Sequence, residues 1–222
     1  MQYFDASFFK FFDTLAKNNN KEWFDDNRST YENKIKVPFR KLVEDVTAQL
    51  SKDLPELNRD ASKAIFRINK DVRFSKDKSP YKTNVAAVIS RNGKKDEMYP
   101  GFYMHFGSDE IMIGGGKYFC SKEDITKIRQ EIYYNPKEFQ KIITAKKFIE
   151  SFGVVQGDKS KILEPDYKAF LAEQPLIANK QFWFYRNLNR EEITSDQLDK
   201  LVASYFKSAI PFNQWLLKTI SE

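Results

Sequence analysis

The sequence predicts an α+β protein: a central antiparallel sheet with N- and C-terminal helices packed on one of its faces. Three observations carry that expectation. The first and last thirds repeat apolar residues at three- and four-residue steps, as helices with one buried stripe do. The middle third alternates apolar and polar residues with period two. An Asn-Gly pair, Asn92-Gly93, punctuates the alternating region as a hairpin connection would.

Taken in order, Phe8, Phe11, Phe12 and Leu15 mark a first helix that stops at Asn18-Asn19-Asn20. A second starts at Asn20, with Trp23, Phe24, Asn27, Arg28, Tyr31 and Ile35 at helical steps. Pro38 suits the first turn of a third, whose core stripe is Phe39, Leu42, Val43, Val46 and Leu50. Residues 65–75 read as a strand that turns Phe66, Ile68, Val72 and Phe74 inward and Arg67, Asn69, Asp71 and Arg73 outward. Ser79-Pro80 is a turn, and residues 83–90 form a more buried strand. Residues 101–106 alternate again, with Phe102, Met104 and Phe106 inward and Tyr103 and His105 outward. Residues 110–113 make a short strand that ends in a bend at Gly114-Gly115-Gly116. Ser121 to Asp124 resembles a capping box opening a helix with Ile125, Ile128 and Ile132. A further helix lies within residues 159–173, and the aromatic run 181–186 is one more strand. A helix follows from Ser195, and Pro211 opens the last. No linker, repeat or low-complexity tract divides the chain, so residues 1–222 read as a single domain.

Composition narrows the function classes. The chain has 222 residues, 20 Phe, 11 Tyr and 3 Trp, which suits a large aromatic core. The formal charge is +6, and it is concentrated. Between Asp60 and Pro100 ten basic and five acidic residues leave +5, so almost the whole excess sits in the predicted sheet. Such a surface attracts phosphates, nucleic acid or an acidic protein partner. One cysteine, no apolar run long enough to span a bilayer and no leader pattern point to a cytoplasmic protein without a membrane partner.

The most informative stretch runs from Arg67 to Thr83. Two arginines and an aspartate on one strand face suit a bidentate anion contact, because arginine stays charged and presents paired donors. The opposing reading is a structural Arg67–Asp71–Arg73 lattice tying the sheet to the N-terminal helices near Asn27, Arg28 and Tyr31. Lys76, Lys78 and Lys82 extend the basic surface, with Phe74 and Tyr81 as rings that bases could stack on. Asp71 and His105 are the candidate proton carriers, His105 being the sole histidine. With one His and one Cys, no zinc site of the usual composition is available. The run Gly114 to Lys117 lacks the spacing of either phosphate-loop motif, though Gly115 could belong to a backbone anion nest. No cofactor is named by the sequence.

Several blocks resemble the family called domain of unknown function 2461. They are residues 20–24 (Asn-Lys-Glu-Trp-Phe) with Asn27, Arg28 and Tyr31, then the long central motif from Arg67 to Thr83. Pro100-Gly101-Phe102-Tyr103, the three glycines before Tyr118, and Ile128-Arg129 with Ile132 continue it. Cys120 stands where the family pattern suggests a proline. The resemblance covers most of the chain and implies one intact domain, but it implies no activity.

These readings converge on an anionic, phosphorylated small molecule as ligand. Arg67, Asp71, Arg73, Lys82, Tyr103 and Gly115 would contact it, and Asp71 or His105 would carry a proton if it is turned over. The alternative is a non-enzymatic module whose basic hairpin docks an acidic protein or nucleic acid.

Overall fold

The computed structural model describes residues 1–96 and 99–221, so Glu97, counted in the charge above, lies outside the described residues. The elements are α1 (Ala6–Lys17), α2 (Lys21–Asp26), α3 (Val37–Leu50), α4 (Ala61–Ala64), β1 (Asn84–Ile89), β2 (Gly101–Gly107), β3 (Ile111–Lys117), α5 (Lys122–Tyr134), α6 (Pro136–Ile143), α7 (Lys146–Phe152), α8 (Pro165–Phe170), β4 (Phe182–Asn187), α9 (Arg190–Thr194) and α10 (Leu198–Ser221). The strands form one antiparallel sheet in the order β1-β2-β3-β4, so the protein is α+β as expected.

The chain packs as two compact units. The first comprises Met1–Lys95, Tyr103–Ile113 and Asn187–Ala203. Here Asp5 caps α1 by accepting from the Ser7 amide, satisfying an amide the helix leaves unpaired. The buried face of α1 then sets Phe8 edge-on to Phe12 and tilted against Phe4. Phe4 and Phe39 meet the edge of Phe106, an inward residue of β2. The second helix of the sequence reading is interrupted. After α2, a helical turn (Arg28–Thr30) passes into a π-helical stretch (Tyr31–Lys36) that runs directly into α3.

The second unit comprises Asp96–Phe102, Gly114–Arg186 and Ser204–Glu222. Phe102 stacks on Phe206 of α10, and Phe184 of β4 meets Phe148 and Phe212. The Ser121 capping box forms as expected: its hydroxyl accepts from the Asp124 amide, and Asp124 accepts from the Ser121 amide.

Four local expectations are corrected. Residues 65–75 are not a strand: only two isolated bridges, Ile65 with Ala87 and Asn69 with Tyr81, remain of the expected ladder. Beyond Asn69 side-chain ties turn the backbone into a loop, so alternation no longer sets which side is buried, and Phe74 is 95% exposed. The Asn92-Gly93 pair is no two-residue hairpin, for Gly93 opens a short 3₁₀ turn to Lys95. The three glycines are no bend, since β3 runs through them. A Cβ on Gly114 would lie 2.4 Å from the Phe184 carbonyl, so the close approach of β4 requires glycine there. Finally, Pro211 lies inside α10 rather than at a helix start. It is exposed, and the buried flanking residues Ile210 and Phe212 keep the helix continuous past one missing backbone hydrogen bond.

Candidate functional site

Residues 65–82 double back along β1 in the first unit. The Phe66 amide donates to Ala86 and the Lys82 amide to Ile68, while the Lys70 amide donates to Pro80 and closes the loop between them. The base is clamped from the N-terminal helices. Asn19 donates its amide group to the Tyr81 carbonyl at 2.9 Å and accepts from the Tyr81 amide at 3.1 Å. The Tyr81 ring stacks on Phe24 with centroids 4.0 Å apart. Tyr81 is therefore buried, and the expectation that it offers a stacking surface fails.

Within the loop every tie is polar. Lys70 donates to Asp77 at 2.7 Å and to the Ser79 hydroxyl at 2.6 Å, and Ser79 donates amide and hydroxyl to Asp77. Those donors hold the Asp77 carboxyl far below the usual carboxylate range. Lys78 donates to the Val72 carbonyl at 3.0 Å. Arg73 grips Asp71 bidentately, Nε at 2.9 Å and Nη2 at 2.6 Å, with its side chain 76% exposed. Asp71 is held ionised first by that grip and then by the charge of Arg67. The anticipated lattice reaching the N-terminal helices is absent among the described residues: Arg28 pairs with Asp25 and lies over the Phe24 ring.

Arg67 and Lys82 differ from all of these. Neither has an ion-pair partner or a side-chain hydrogen bond among the described residues, and Lys82 feels the positive charge of Arg67. Lys82 is half-buried with its ammonium 5.2 Å from the Phe66 ring centroid. Desolvation, then Arg67, pulls its pKa below the ordinary lysine value.

Beside it, β2 turns out Tyr103 and His105 between the buried Phe102, Met104 and Phe106, as its alternation predicts. The Tyr103 hydroxyl lies 3.2 Å from His105 Nδ1, and His105 Nε2 lies 3.9 Å from a Glu110 oxygen. Burial lowers the His105 pKa; Glu110 opposes this and Lys82 adds to it. Burial and Glu110 raise that of Tyr103, so the phenol keeps its proton and can donate to a neutral imidazole. Glu110 also lines a cleft of about 570 Å³ with Asp109, Asn187 and Arg190. Glu110 was not foreseen. Its signal is the tight β2–β3 turn, where the Gly107 amide donates to the Glu110 carbonyl.

Of the residues singled out, the structure thus joins Arg67, Lys82, Tyr103 and His105 in one electrostatic neighbourhood, linked through Arg67 to the Asp71–Arg73 pair. Gly115 lies in β3 within the second unit, where a Cβ would meet the Gly101 carbonyl at 2.6 Å. Among the described residues no group of three or more His, Cys, Asp or Glu is placed to hold a metal ion. No helix there is long and apolar enough to cross a membrane.

A family model described as "Conserved hypothetical protein (DUF2461)" matches residues 7–215. The chain belongs to that family. No curated protein and no solved structure matches it. Within this DUF2461 chain the long central motif is the loop just described, with Phe24 of the N-terminal blocks, and Asn19 just before them, at its base.

Proposed function

We propose that this protein binds a phosphorylated ligand in the cytoplasm, its phosphate held by Arg67 and Lys82 with Tyr103 and His105 alongside. One observation carries the reading: a half-buried lysine and a neighbouring arginine, neither with an ion-pair partner among the described residues. Bringing two like charges together while desolvating one costs stability, and an anion offsets that cost. Cation pairs of this kind are expected where an anion binds. The motif's other charges support the reading by contrast, since Asp71, Arg73, Lys70 and Asp77 neutralise one another and order the loop. If the ligand is turned over, His105 is the better proton carrier. Asp71 is committed to Arg73, whereas the imidazole is neutral near pH 7 and backed by a phenol and a carboxylate.

The test is thermal denaturation with inorganic phosphate, nucleoside monophosphates and sugar phosphates. A ligand at a hundredfold excess over Kd adds about 2.7 kcal/mol, raising Tm by roughly 5–10 °C for a chain this long. A rise that Arg67→Ala and Lys82→Met abolish supports the site. No rise with any phosphate, or one the variants leave intact, overturns it. Docking of an acidic protein through charge alone would instead tolerate Arg67→Lys, which a forked phosphate contact does not.

A further inference from the structure

The tip of the same loop carries a feature that phosphate binding leaves unused. Phe74 is 95% exposed, more than any other large apolar residue described, and it stands among Arg73, Lys76 and Lys78, all exposed. Arg73 lies over its ring, with the guanidinium carbon 5.9 Å from the centroid. The loop is internally tied by the Lys70–Asp77–Ser79 and Asp71–Arg73 contacts and by Lys78 on the Val72 carbonyl. Below, it is clamped through Tyr81. An ordered loop displays the ring at low entropic cost, which suits a surface that meets a partner.

The exposure argues about partner class. Small-molecule sites are concave and bury most of their ligand. Here the ring, Arg73 and Lys76 are exposed rather than set in a cleft, which is unlike a small-molecule site. A lipid surface fits poorly, because a single aromatic flanked by the carboxylates of Asp71 and Asp77 offers little to insert. An acidic protein would use the cations but has no need of a bare ring. Single-stranded nucleic acid uses both, with phosphates on the cations and bases stacked on an aromatic side chain.

Resting on the phosphate reading above, we infer that the ligand is single-stranded nucleic acid, with a backbone phosphate on Arg67 and Lys82 and a neighbouring base stacked on Phe74. Lys76 is without a partner among the described residues and is free to meet the adjoining phosphate.

Fluorescence anisotropy with a short fluorescein-labelled oligothymidylate tests this, with inorganic phosphate, adenosine monophosphate and phosphatidylserine vesicles as separate probes. Neutralising those two phosphates predicts a log–log salt slope of about −1.4. Phe74→Ala should weaken oligonucleotide binding roughly 5- to 100-fold, and Phe74→Trp should preserve it. Phe74 touches no core residue, so both variants are expected to fold, and their melting temperatures check that. Equal affinity for the native protein and Phe74→Ala overturns the inference. Binding of monophosphate without oligonucleotide overturns it too, while leaving the phosphate reading intact. Binding to vesicles without oligonucleotide transfers the loop to a lipid surface and overturns it. If neither oligonucleotide nor any phosphate binds, both readings fall together.

Discussion

Lys117 and Lys82 show what separates a structural cation from one that awaits a ligand. Lys117 ends β3 in the second unit, its ammonium 3.3 Å from Asp124, with the two side chains 1% and 5% exposed. Asp124 also accepts from the Ser121 amide in the capping box, so the carboxylate is fixed before the lysine arrives. Lys82 stands just before β1 in the first unit, half-buried, beside another cation and with no carboxylate of its own among the described residues. Full burial obliges a chain to supply the counter-ion, because desolvation otherwise exceeds anything the fold returns. Half-burial tolerates its absence at a modest cost, and that cost is what an incoming anion relieves.

The largest expected effect breaks the matched pair. Asp124→Ala removes the carboxylate that faces the buried Lys117 ammonium and half of the capping box, so urea denaturation should show a loss of about 3–5 kcal/mol. Replacing both partners by apolar residues of similar size should recover much of it. If the single substitution costs under about 1 kcal/mol, Lys117 finds another partner and the contrast with Lys82 weakens.

Next comes the clamp that places Lys82. Asn19→Ala deletes both side-chain bonds to the Tyr81 backbone and leaves those groups part-buried, for about 1–3 kcal/mol. Amide exchange across residues 79–82 should accelerate in that variant. Phosphate affinity should drop as well, because the base of the loop loses its register against Phe24.

Much of this was legible in the sequence, and what was hidden has physical reasons. β2 was readable because Phe102, Met104 and Phe106 face one side and Tyr103 and His105 the other, and both strand neighbours enforce that pleat. The Ser121 cap was readable because its two bonds are local. The 65–75 segment alternates as faithfully as β2 yet makes only isolated bridges. Its backbone leaves β1 once Lys70 reaches across to Asp77 and Ser79, and a period-two pattern carries no record of that contact. The glycine run misled for a related reason: what requires glycine at 114 is the Phe184 carbonyl, about seventy residues away in sequence. The Arg67–Lys82 juxtaposition depends on the bridge between Asn69 and Tyr81, so sequence could nominate both cations but could not place them together.

Lys82→Met sharpens the comparison from the other side. It removes a cation that has no ion-pair partner among the described residues, so stability should not fall, whereas phosphate binding should be lost. The pH dependence has a definite sign. The folded pKa of Lys82 is depressed, so between that value and about 10.4 the native state holds fewer protons than the unfolded chain. Unfolding free energy should therefore rise with pH over that interval in the native protein, and less so in Lys82→Met. Saturating phosphate should flatten the rise, since an anion favours the charged amine. His105, also depressed, adds stability above its unfolded pKa near 6.5 that is lost as pH falls through the folded value.

The smallest effect concerns Arg73, which the sequence placed on equal terms with Arg67. Its fork is already engaged: Nε and Nη2 both donate to Asp71, and the pair sits in solvent. Exposed pairs contribute little, so Arg73→Ala should leave stability essentially unchanged. Phosphate affinity should move within about threefold, the loss of one nearby charge being partly balanced by the loop's remaining ties. Arg67→Ala, which removes a cation with no ion-pair partner among the described residues, should cost far more affinity at equally unchanged stability. Isothermal titration of inorganic phosphate into the two variants separates them. Equal losses would mean that Arg73 leaves Asp71 for the ligand, making the Asp71–Arg73 pair a latch that opens on binding rather than a fixed tie of the loop.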